Sequence, residues 1–267
     1  LKASSEAEEE PIGYTSTIFE TNARQAEQGV GNFIADIIRI SLGVDVGIYN
    51  AGRIRGEPLI GVLKKSSLSR MLPFGDVIFG IEITGKELSD MLENSVSQIE
   101  NNAGRFLQVS GVRFSFDPSR EPMARVIPNS VIVEGKGPLN FTETYKVGTT
   151  LYMSKGGDSF KSIPMERLKD IQTRPLLDAV MEFFNLANYE KFYEMCDLPR
   201  PDSLKERESI NQRLIELIPK YCEKLVKGIV KAGEKPVIEV APEIEGRIVN
   251  VLVNKCVASN SQNCIDL

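Results

Sequence analysis

The stretch VDVGIYNAGRIR, residues 44–55, indicates both the fold class and the place of a binding site. Valine and isoleucine alternate with other residues in its first half, VDVGIY (44–49), which is the period-2 pattern of a β-strand. This strand delivers Asn50 at its carboxyl end, and an alanine, a glycine and two arginines follow within five positions. Because ligand crevices in α/β sheets favour the carboxyl ends of strands, we expect a ligand-facing loop at 50–55.

A helix is predicted directly before this strand. Its apolar residues recur at helical spacing, and they are Val30, Phe33, Ile34, Ile37 and Ile38. Gly43 supplies a residue that tolerates a left-handed stop. The pattern therefore predicts a helix over about 27–42 with one buried face.

Helices and strands continue to interleave after residue 55. SSLSRM (66–71) predicts a short helix, and VIFGIEI (77–83) predicts a strand. Thr84 and Glu87 have the spacing of a capping box for the next helix. Further strands are predicted at 106–118, 125–135 and 145–153. Since the elements show no regular βαβ period, we predict an α+β fold with a mixed sheet flanked by helices.

The composition and the pattern of apolar residues change after residue 160. Thr173 is predicted to cap a helix, and the glutamate- and lysine-rich stretch 186–232 has helical spacing. Strand-like residues return at 235–253. We therefore divide the chain into a linker (1–12), a domain (13–250) with a helical insertion at about 186–232, and a C-terminal tail (251–267).

Composition excludes several classes of chemistry. The chain contains no histidine, so Ser–His and Cys–His mechanisms are excluded. A net charge of −5 argues against a broad electrostatic contact with a nucleic-acid polymer. No apolar run approaches the length of a transmembrane segment. The polar, acidic start of the sequence is unlike a signal peptide, and we expect the chain to be a piece of a longer protein.

The four cysteines leave the redox state of the protein open. Cys196, Cys222, Cys256 and Cys264 form no C-x-x-C pair of the kind that a zinc or redox site would show. One or two disulfides and free buried thiols are both compatible with this spacing.

Four motifs, in this order and spacing, carry a family resemblance. They are NAGRIR (50–55), LPFGD (72–76), FLQVSGVRFSFD (106–117) and YKVGTTLYMSKGGDSF (145–160). Together they resemble the C-terminal, substrate-recognition domain of the 5′-nucleotidase and UDP-sugar hydrolase family. QGVGNFIADIIR (28–39) is similar to the opening of that domain, and EGRI (245–248) is similar to its close. The resemblance covers roughly 13–160 and about 235–250, while 186–232 has no counterpart in it.

The resemblance implies one half of a two-domain hydrolase. In that family an N-terminal metallophosphoesterase domain holds two divalent metal ions that activate water against a phosphate ester, and the C-terminal domain binds the nucleoside. We therefore expect no catalytic residue, no metal site and no hydrolysis from this chain by itself. Its expected partners are a nucleotide or nucleoside and the N-terminal domain of the same protein. The resemblance favours a secreted or extracytoplasmic location, which the sequence itself leaves open.

The NAGRIR motif and an upstream arginine supply the polar candidates for substrate binding. Asn50 can offer its amide to a base or ribose, Gly52 leaves room for a ligand near the backbone, and Arg55 suits a phosphate or carboxylate. Arg24 is spaced like an additional phosphate or ribose arginine of the family. The family usually has a small residue in place of Arg53, which we expect either to contact phosphate or to point to solvent. Each residue taken alone is also compatible with a solvated surface turn.

Phe74 and Tyr152 are the aromatic candidates. Phe74 follows a proline and precedes a glycine, and Tyr152 is predicted at the end of the strand 145–153. At these two positions the family carries rings that sandwich the base, and its second ring is usually phenylalanine. A single aromatic residue near a strand end more often packs in a core, but two at both family positions favour a clamp, since stacking depends on the ring face.

The GGDSF motif completes the candidate site. Gly156 and Gly157 permit a tight turn, and Asp158 is placed to accept hydrogen bonds from a ribose diol. The family usually has a glycine in place of Ser159, so the loop geometry departs from its pattern at that residue. By itself a Gly-Gly-Asp sequence is common in turns.

An alternative reading comes from a different class of protein. The chain would then be a catalytically silent binding or interaction module that docks a partner through the helical insertion at 186–232. The two aromatic residues and Asp158 argue for a working nucleotide cleft, while the departures at Arg53, Tyr152 and Ser159 argue mildly for a silent one.

Overall fold

The computed structural model describes residues 9–169, 171–185, 213, 238–239 and 242–251. The predicted insertion at 186–232, apart from residue 213, lies outside the described residues, as do residues 1–8, all four cysteines and the tail beyond residue 251.

The described chain alternates strands and helices as a mixed α+β fold. The strands are β1 (Gly13–Phe19), β2 (Val46–Asn50), β3 (Leu59–Leu63), β4 (Val77–Thr84), β5 (Leu107–Ser110), β6 (Val112–Phe116), β7 (Ile132–Val133), β8 (Gly137–Pro138), β9 (Thr144–Thr150), β10 (Thr173–Pro175), β11 (Ile238–Glu239) and β12 (Ile248–Asn250). The helices are α1 (Gly29–Leu42), α2 (Lys65–Met71), α3 (Gly85–Val96), α4 (Leu151–Ser154) and α5 (Leu176–Phe184).

The central sheet has five strands in the order β10-β4-β9-β2-β5. β2 runs parallel to β9 and antiparallel to β5, and β4 runs antiparallel to both β9 and β10. All five residues of β2 are buried, so both of its faces are covered, although the sequence pattern predicted one apolar side. The prediction of a mixed sheet flanked by helices is confirmed.

Helix α1 packs closely against this sheet. Its predicted extent and its stop are confirmed, because Gly43 has a φ of 64° and donates its N–H to the carbonyls of Arg39 and Ile40. A Cβ added to Gly47 in β2 would lie 2.4 Å from the Ala35 carbonyl oxygen. The glycine therefore lets the helix backbone approach the strand that carries Asn50.

Rings from α1 and α5 join in one apolar core. Phe33 of α1 lies 5.3 Å from Phe183, edge to face, and 5.8 Å from Phe184, measured between ring centroids. Edge-to-face rings contribute about 0.5–1.5 kcal/mol beyond the area that they bury. This contact fixes α5 over the same helix that supports β2.

The predicted capping box at the start of α3 is confirmed. Thr84 Oγ1 accepts from the N–H of Glu87 at 3.2 Å, and Glu87 Oε2 accepts from the N–H of Thr84 at 2.7 Å. Two donors at the helix start are satisfied in this way.

Three predicted strands differ in the structure. The segment 106–118 forms two strands, because Gly111 has a φ of 74° and breaks the run. The segment 125–135 is mostly loop with the short strand β7, since Pro128 lacks an N–H and Asn129 adopts a φ of 62°. The strand from residue 145 ends at Thr150, whose side chain accepts from the N–H of Met153 and starts α4. Tyr152 therefore lies on a short helix and not at a strand end.

The prediction that Thr173 caps a helix is wrong. Thr173 begins β10, which pairs with β4 at Phe79, and the helix starts at Leu176 with Pro175 as its N-cap. Proline at this position fixes an extended backbone before the first turn and has no N–H to satisfy.

The described part of the chain also forms two smaller sheets, in the orders β11-β1-β3 and β12-β6-β7-β8. At the described end of the N-terminal segment, the Ile12 N–H donates to the Leu63 carbonyl at 2.9 Å. No helix among the described residues is long and apolar enough to cross a membrane.

Candidate functional site

The site forms where β2 ends. Asn50 is the last residue of β2, and Ala51–Arg53 then form a 3-10 turn whose first two residues are buried. The Ala51 N–H donates to the Phe106 carbonyl at 2.7 Å, so the turn is fixed against the segment that leads into β5.

Three predicted site residues are joined by hydrogen bonds, with Asp158 as the shared acceptor. Asn50 Nδ2 donates to Asp158 Oδ2 at 2.5 Å, and the Tyr152 hydroxyl donates to Asp158 Oδ1 at 3.1 Å. Asn50 and Asp158 are 108 positions apart in the sequence. Asn50 Oδ1 is buried and has no hydrogen-bond partner among the described residues. A buried acceptor of this kind costs about 1–3 kcal/mol until a donor reaches it.

The loop that carries Asp158 has an unusual backbone. Gly156 has a φ of 90°, Asp158 a φ of 53° and Ser159 a φ of 60°. A left-handed conformation is easy for glycine, tolerable for aspartate and costly for most other residues. The predicted tight turn is present at Gly156, and Ser159 keeps the left-handed conformation despite its side chain.

Arg105 and Asn94 fix this loop from outside the predicted set. Asn94 Nδ2 donates to the Asp158 carbonyl at 3.2 Å. Arg105 donates to Asn94 Oδ1 at 3.1 Å and to the Ser159 hydroxyl at 3.1 Å. Sequence reasoning missed both residues, since their only signal was polarity near the FLQVSG motif. Their role appears once the loop and α3 are brought together.

The glycines of the site make room for neighbouring residues of the protein. A Cβ on Gly52 would lie 2.6 Å from the Gly104 Cα, and the Gly52 N–H donates to the Gly104 carbonyl at 2.8 Å. The expectation that Gly52 leaves room for a ligand is therefore wrong on this side, because Gly104 fills the space. A Cβ on Gly157 would lie 2.5 Å from the Tyr152 ring, so this glycine lets the ring pack onto the loop.

Arg53 lies against both candidate aromatic rings. Its Cζ is 4.3 Å from the centroid of the Phe74 ring and 4.4 Å from that of the Tyr152 ring. Its Nε lies 2.6 Å from Asp76 Oδ1, with 14% of the Arg53 side chain and 5% of the Asp76 side chain exposed. The expectation that Arg53 points to solvent is wrong, because its guanidinium is held by a buried carboxylate. The expectation that Arg53 contacts phosphate stays a prediction.

Asp76 also accepts a hydrogen bond from the buried Tyr49. The Tyr49 hydroxyl donates to Asp76 Oδ2 at 2.8 Å. Burial, followed by the charge of Asp76, raises the pKa of Tyr49 well above its ordinary value, so the hydroxyl stays protonated and remains a donor. Sequence reasoning selected Phe74 from the LPFGD motif. In the structure Asp76 of the same motif holds Arg53.

The remaining predicted residues lie around the rings or at some distance from them. Phe74 is 46% exposed and Tyr152 is 37% exposed. The exposed Arg55 has its Cζ 5.6 Å from the centroid of the Phe74 ring. Arg24 donates to the Asn102 carbonyl at 3.4 Å, on the loop that also contains Gly104. The structure thus brings Asn50, Asp158 and Tyr152 into direct contact, while Arg24 joins them only through this loop.

The described residues include no group of three or more cysteine, aspartate or glutamate side chains placed to hold a metal ion. The polar groups that the site offers are an amide, a carboxylate and guanidinium groups next to two aromatic rings. This combination suits a planar, polar ligand such as a nucleoside.

Comparisons with known proteins find relatives among proteins that are named as nucleotide phosphoesterases and 5′-nucleotidases. The chain is 31% identical over 162 residues to the trifunctional nucleotide phosphoesterase protein YfkN of Bacillus subtilis, covering 57% of this chain and 11% of that protein. It is 32% identical over 164 residues to a 5′-nucleotidase of Diplobatis ommata, covering 55% of this chain and 28% of that protein. The chain thus spans a small part of the length of these relatives.

Solved structures show the same fold. The structure of a 5′-nucleotidase precursor from Thermus thermophilus superposes with a TM-score of 0.60 and 26% identity, over 90% of this chain and 39% of that chain. The NAD nucleotidase (NadN) of Haemophilus influenzae shares the fold with a TM-score of 0.55 at 21% identity, over 66% of this chain and 35% of that one. The profile described as "5′-nucleotidase, C-terminal domain" matches residues 10–164, which is more than half of the 267 residues. The chain therefore belongs to the family of 5′-nucleotidase C-terminal domains.

Proposed function

We propose that this chain recognises the nucleoside part of a nucleotide substrate for a 5′-nucleotidase-type phosphohydrolase. Phe74 and Tyr152 stack on the base, Asn50 and Asp158 hold the base and ribose, and Arg55 and Arg24 lie towards the sugar-phosphate end. Gly156 and Gly157 shape the loop that presents Asp158.

The observation that carries the proposal is the contact of Asn50, Asp158 and Tyr152 beside Phe74. Asp158 accepts from both of its neighbours, as a carboxylate with several lone pairs can, and its oxygens can accept from a ribose diol in the same way. A carboxylate and an amide next to exposed aromatic rings match a ligand with hydroxyl groups at one end and a flat π surface at the other.

Catalysis is assigned to another part of the full protein. We propose that an N-terminal metallophosphoesterase domain with two divalent metal ions cleaves the phosphate ester, and that the present chain positions the substrate. Binding energy far from the scissile bond then contributes to the rate by orienting the phosphate. The chain by itself is expected to bind and not to hydrolyse.

Isothermal calorimetry of the 267-residue chain tests the proposal. Adenosine, AMP and a UDP-sugar are titrated to millimolar concentration into the wild type, Phe74→Ala and Asp158→Ala. Binding is expected for the wild type, with at least a tenfold loss in each variant. Phe141→Ala is the matched control, because Phe141 is likewise an exposed phenylalanine but lines a different cavity, together with Glu93 and Pro138. Equal affinity in all four proteins would contradict the proposal.

The alternative function, an interaction module that docks through the helical insertion, depends on residues outside the described part of the chain. One observation bears on it, namely that Arg53 covers the rings of the proposed clamp. A folded chain that binds none of the three ligands, and still binds none after Arg53 is removed, would favour this alternative.

A further inference from the structure

The two rings of the proposed clamp already have a stacking partner. The Arg53 guanidinium lies over the Phe74 ring at 4.3 Å and over the Tyr152 ring at 4.4 Å, measured from Cζ to the ring centroids. A planar guanidinium stacks on an aromatic face through the same π surface that a base uses. The ring faces that Arg53 covers are therefore closed to any other planar group.

Arg53 is held in this position from its other side. Its Nε contacts both oxygens of Asp76, at 2.6 and 2.7 Å, and Asp76 is fixed by the Tyr49 hydroxyl. With 5% of its side chain exposed, Asp76 loses a buried cation when Arg53 moves away. Removing one partner of a buried ion pair is unfavourable because the remaining charge stays out of water.

We propose that Arg53 is a built-in competitor for the base and thereby sets the affinity of this site for nucleosides. The proposal rests on the proposed function, since it concerns the same two rings. A purine or pyrimidine stacks on Phe74 and Tyr152 only after the guanidinium leaves them. The observed affinity is then the intrinsic affinity reduced by the fraction of molecules in which Arg53 has moved.

Adenosine is the sharpest probe, because it carries no charge. Loss of a nearby cation weakens the binding of a nucleotide anion through electrostatics, which would hide the release of the clamp. An uncharged nucleoside has no such contribution, so a gain in its affinity reports on access to the rings.

The test compares the wild type with Arg53→Ala/Asp76→Asn by calorimetry and by NMR titration with adenosine. Both charges are removed together, so that neither is left buried without its partner. We expect the double variant to bind adenosine at least tenfold more tightly than the wild type. Adding Phe74→Ala to the double variant should abolish that gain. Arg113→Ala is the matched control, since Arg113 is an exposed arginine on β6 whose loss should not change the affinity.

A second readout follows Arg53 directly in the wild type. The Arg53 Nε–H signal should be shifted by the ring currents of the unliganded clamp, and saturating adenosine should remove that shift. A signal that adenosine leaves unchanged would show that the base binds without displacing the guanidinium, and would overturn the proposal.

The outcomes separate this proposal from the proposed function. If the wild type binds adenosine and the double variant binds no more tightly, the role of Arg53 is wrong and the recognition function stands. If folded wild type and folded double variant both fail to bind, the recognition function itself fails, and the role of Arg53 fails with it.

Discussion

At the scale of single residues, Tyr152 combines a ring and a hydroxyl whose contributions can be separated. The ring lies beside Arg53, and the hydroxyl donates to Asp158 at 3.1 Å. Burial, with the charge of Asp158 after it, raises the pKa of Tyr152, so the hydroxyl remains a donor at neutral pH. The ring supplies stacking, and the hydroxyl helps to orient Asp158.

We expect Tyr152→Phe to keep the affinity for adenosine within about threefold of the wild type, because the stacking face is unchanged. Tyr152→Leu removes the π surface, and its affinity should fall by about tenfold or more, since base stacking is worth about 1–3 kcal/mol. Calorimetry of the three proteins measures both effects. A larger loss in the phenylalanine variant than in the leucine variant would show that the hydroxyl, and not the ring, carries recognition.

The sequence predicted the residue types of the site better than their contacts. Asp158 and Asn50 became candidates because their motifs place polar groups beside a glycine turn and a strand end. The position of Arg53 was not predictable, because it depends on a carboxylate 23 residues further along the chain and on a choice among several rotamers. Gly52 was misread for a similar reason, since its neighbour Gly104 belongs to a different loop.

At the scale of elements, an ion pair links the first turn of α3 to the segment that follows the GGDSF loop. Glu87 closes the capping box and pairs with Arg167, at 2.6 Å from Nη1 to Oε1. Burial by itself would raise the pKa of Glu87, but the hydrogen bonds from Arg167 and Thr84 outweigh it and hold the pKa below its ordinary value of 4.5. The folded state therefore favours the ionised form.

This shift predicts a dependence of stability on pH. A lowered pKa in the folded state gives stability that is complete above the unfolded pKa and is lost as the pH falls through the folded pKa. Glu87→Gln should therefore be less stable than the wild type by up to about 1 kcal/mol at pH 7, and the difference should shrink towards pH 3. Urea denaturation at several pH values measures it. Glu166→Gln, a change at an exposed glutamate whose side chain makes no described ion pair, is the control. A difference that stays constant from pH 7 to pH 3 would contradict the explanation.

Element boundaries were predictable where one local signal decided them. Gly43 stops α1, and the Thr84–Glu87 pair starts α3, because capping uses residues within four positions of each other. The strand prediction over 145–153 failed at Thr150, since β-branched and aromatic residues continue the strand pattern into a helical turn. At Thr150, one hydrogen bond from the Met153 N–H to the side chain outweighed the β-propensity of the residues that follow.

At the scale of the whole molecule, the C-terminal segment returns to the first helix and closes the domain. β12 pairs in parallel with β6, and Arg247 places its guanidinium 2.8 Å from Asp36 Oδ1 of α1. Arg247 Nη1 also donates to the Val109 carbonyl at 2.7 Å, and Val109 lies in β5, the strand that borders β2. The EGRI motif indicated this closing segment, but its target on α1 is more than 200 positions away and could not be read from spacing.

This ion pair is buried, with 10% of the Arg247 side chain and 3% of the Asp36 side chain exposed. Burial opposes the charged form, but Asp36 and Glu245 raise the pKa of Arg247 above its ordinary value, so the charge persists in the interior. Loss of Arg247 removes a cation from beside a buried carboxylate, which is unfavourable because that charge stays out of water.

We expect Arg247→Met to lower the free energy of unfolding by about 3–5 kcal/mol, because Met keeps the apolar stem but removes the guanidinium that pairs with the buried Asp36 carboxylate. Asp36→Asn/Arg247→Met should recover at least about 1 kcal/mol of this loss, since the asparagine oxygen still accepts from the Ser110 hydroxyl and the buried carboxylate charge is removed. Arg113→Met is the matched control, and a change within about 0.5 kcal/mol is expected for this exposed residue. Urea denaturation of the four proteins gives the comparison. If Arg247→Met unfolds within about 1 kcal/mol of the wild type, the C-terminal return contributes little to the domain, and closure must depend on the pairing of β12 with β6.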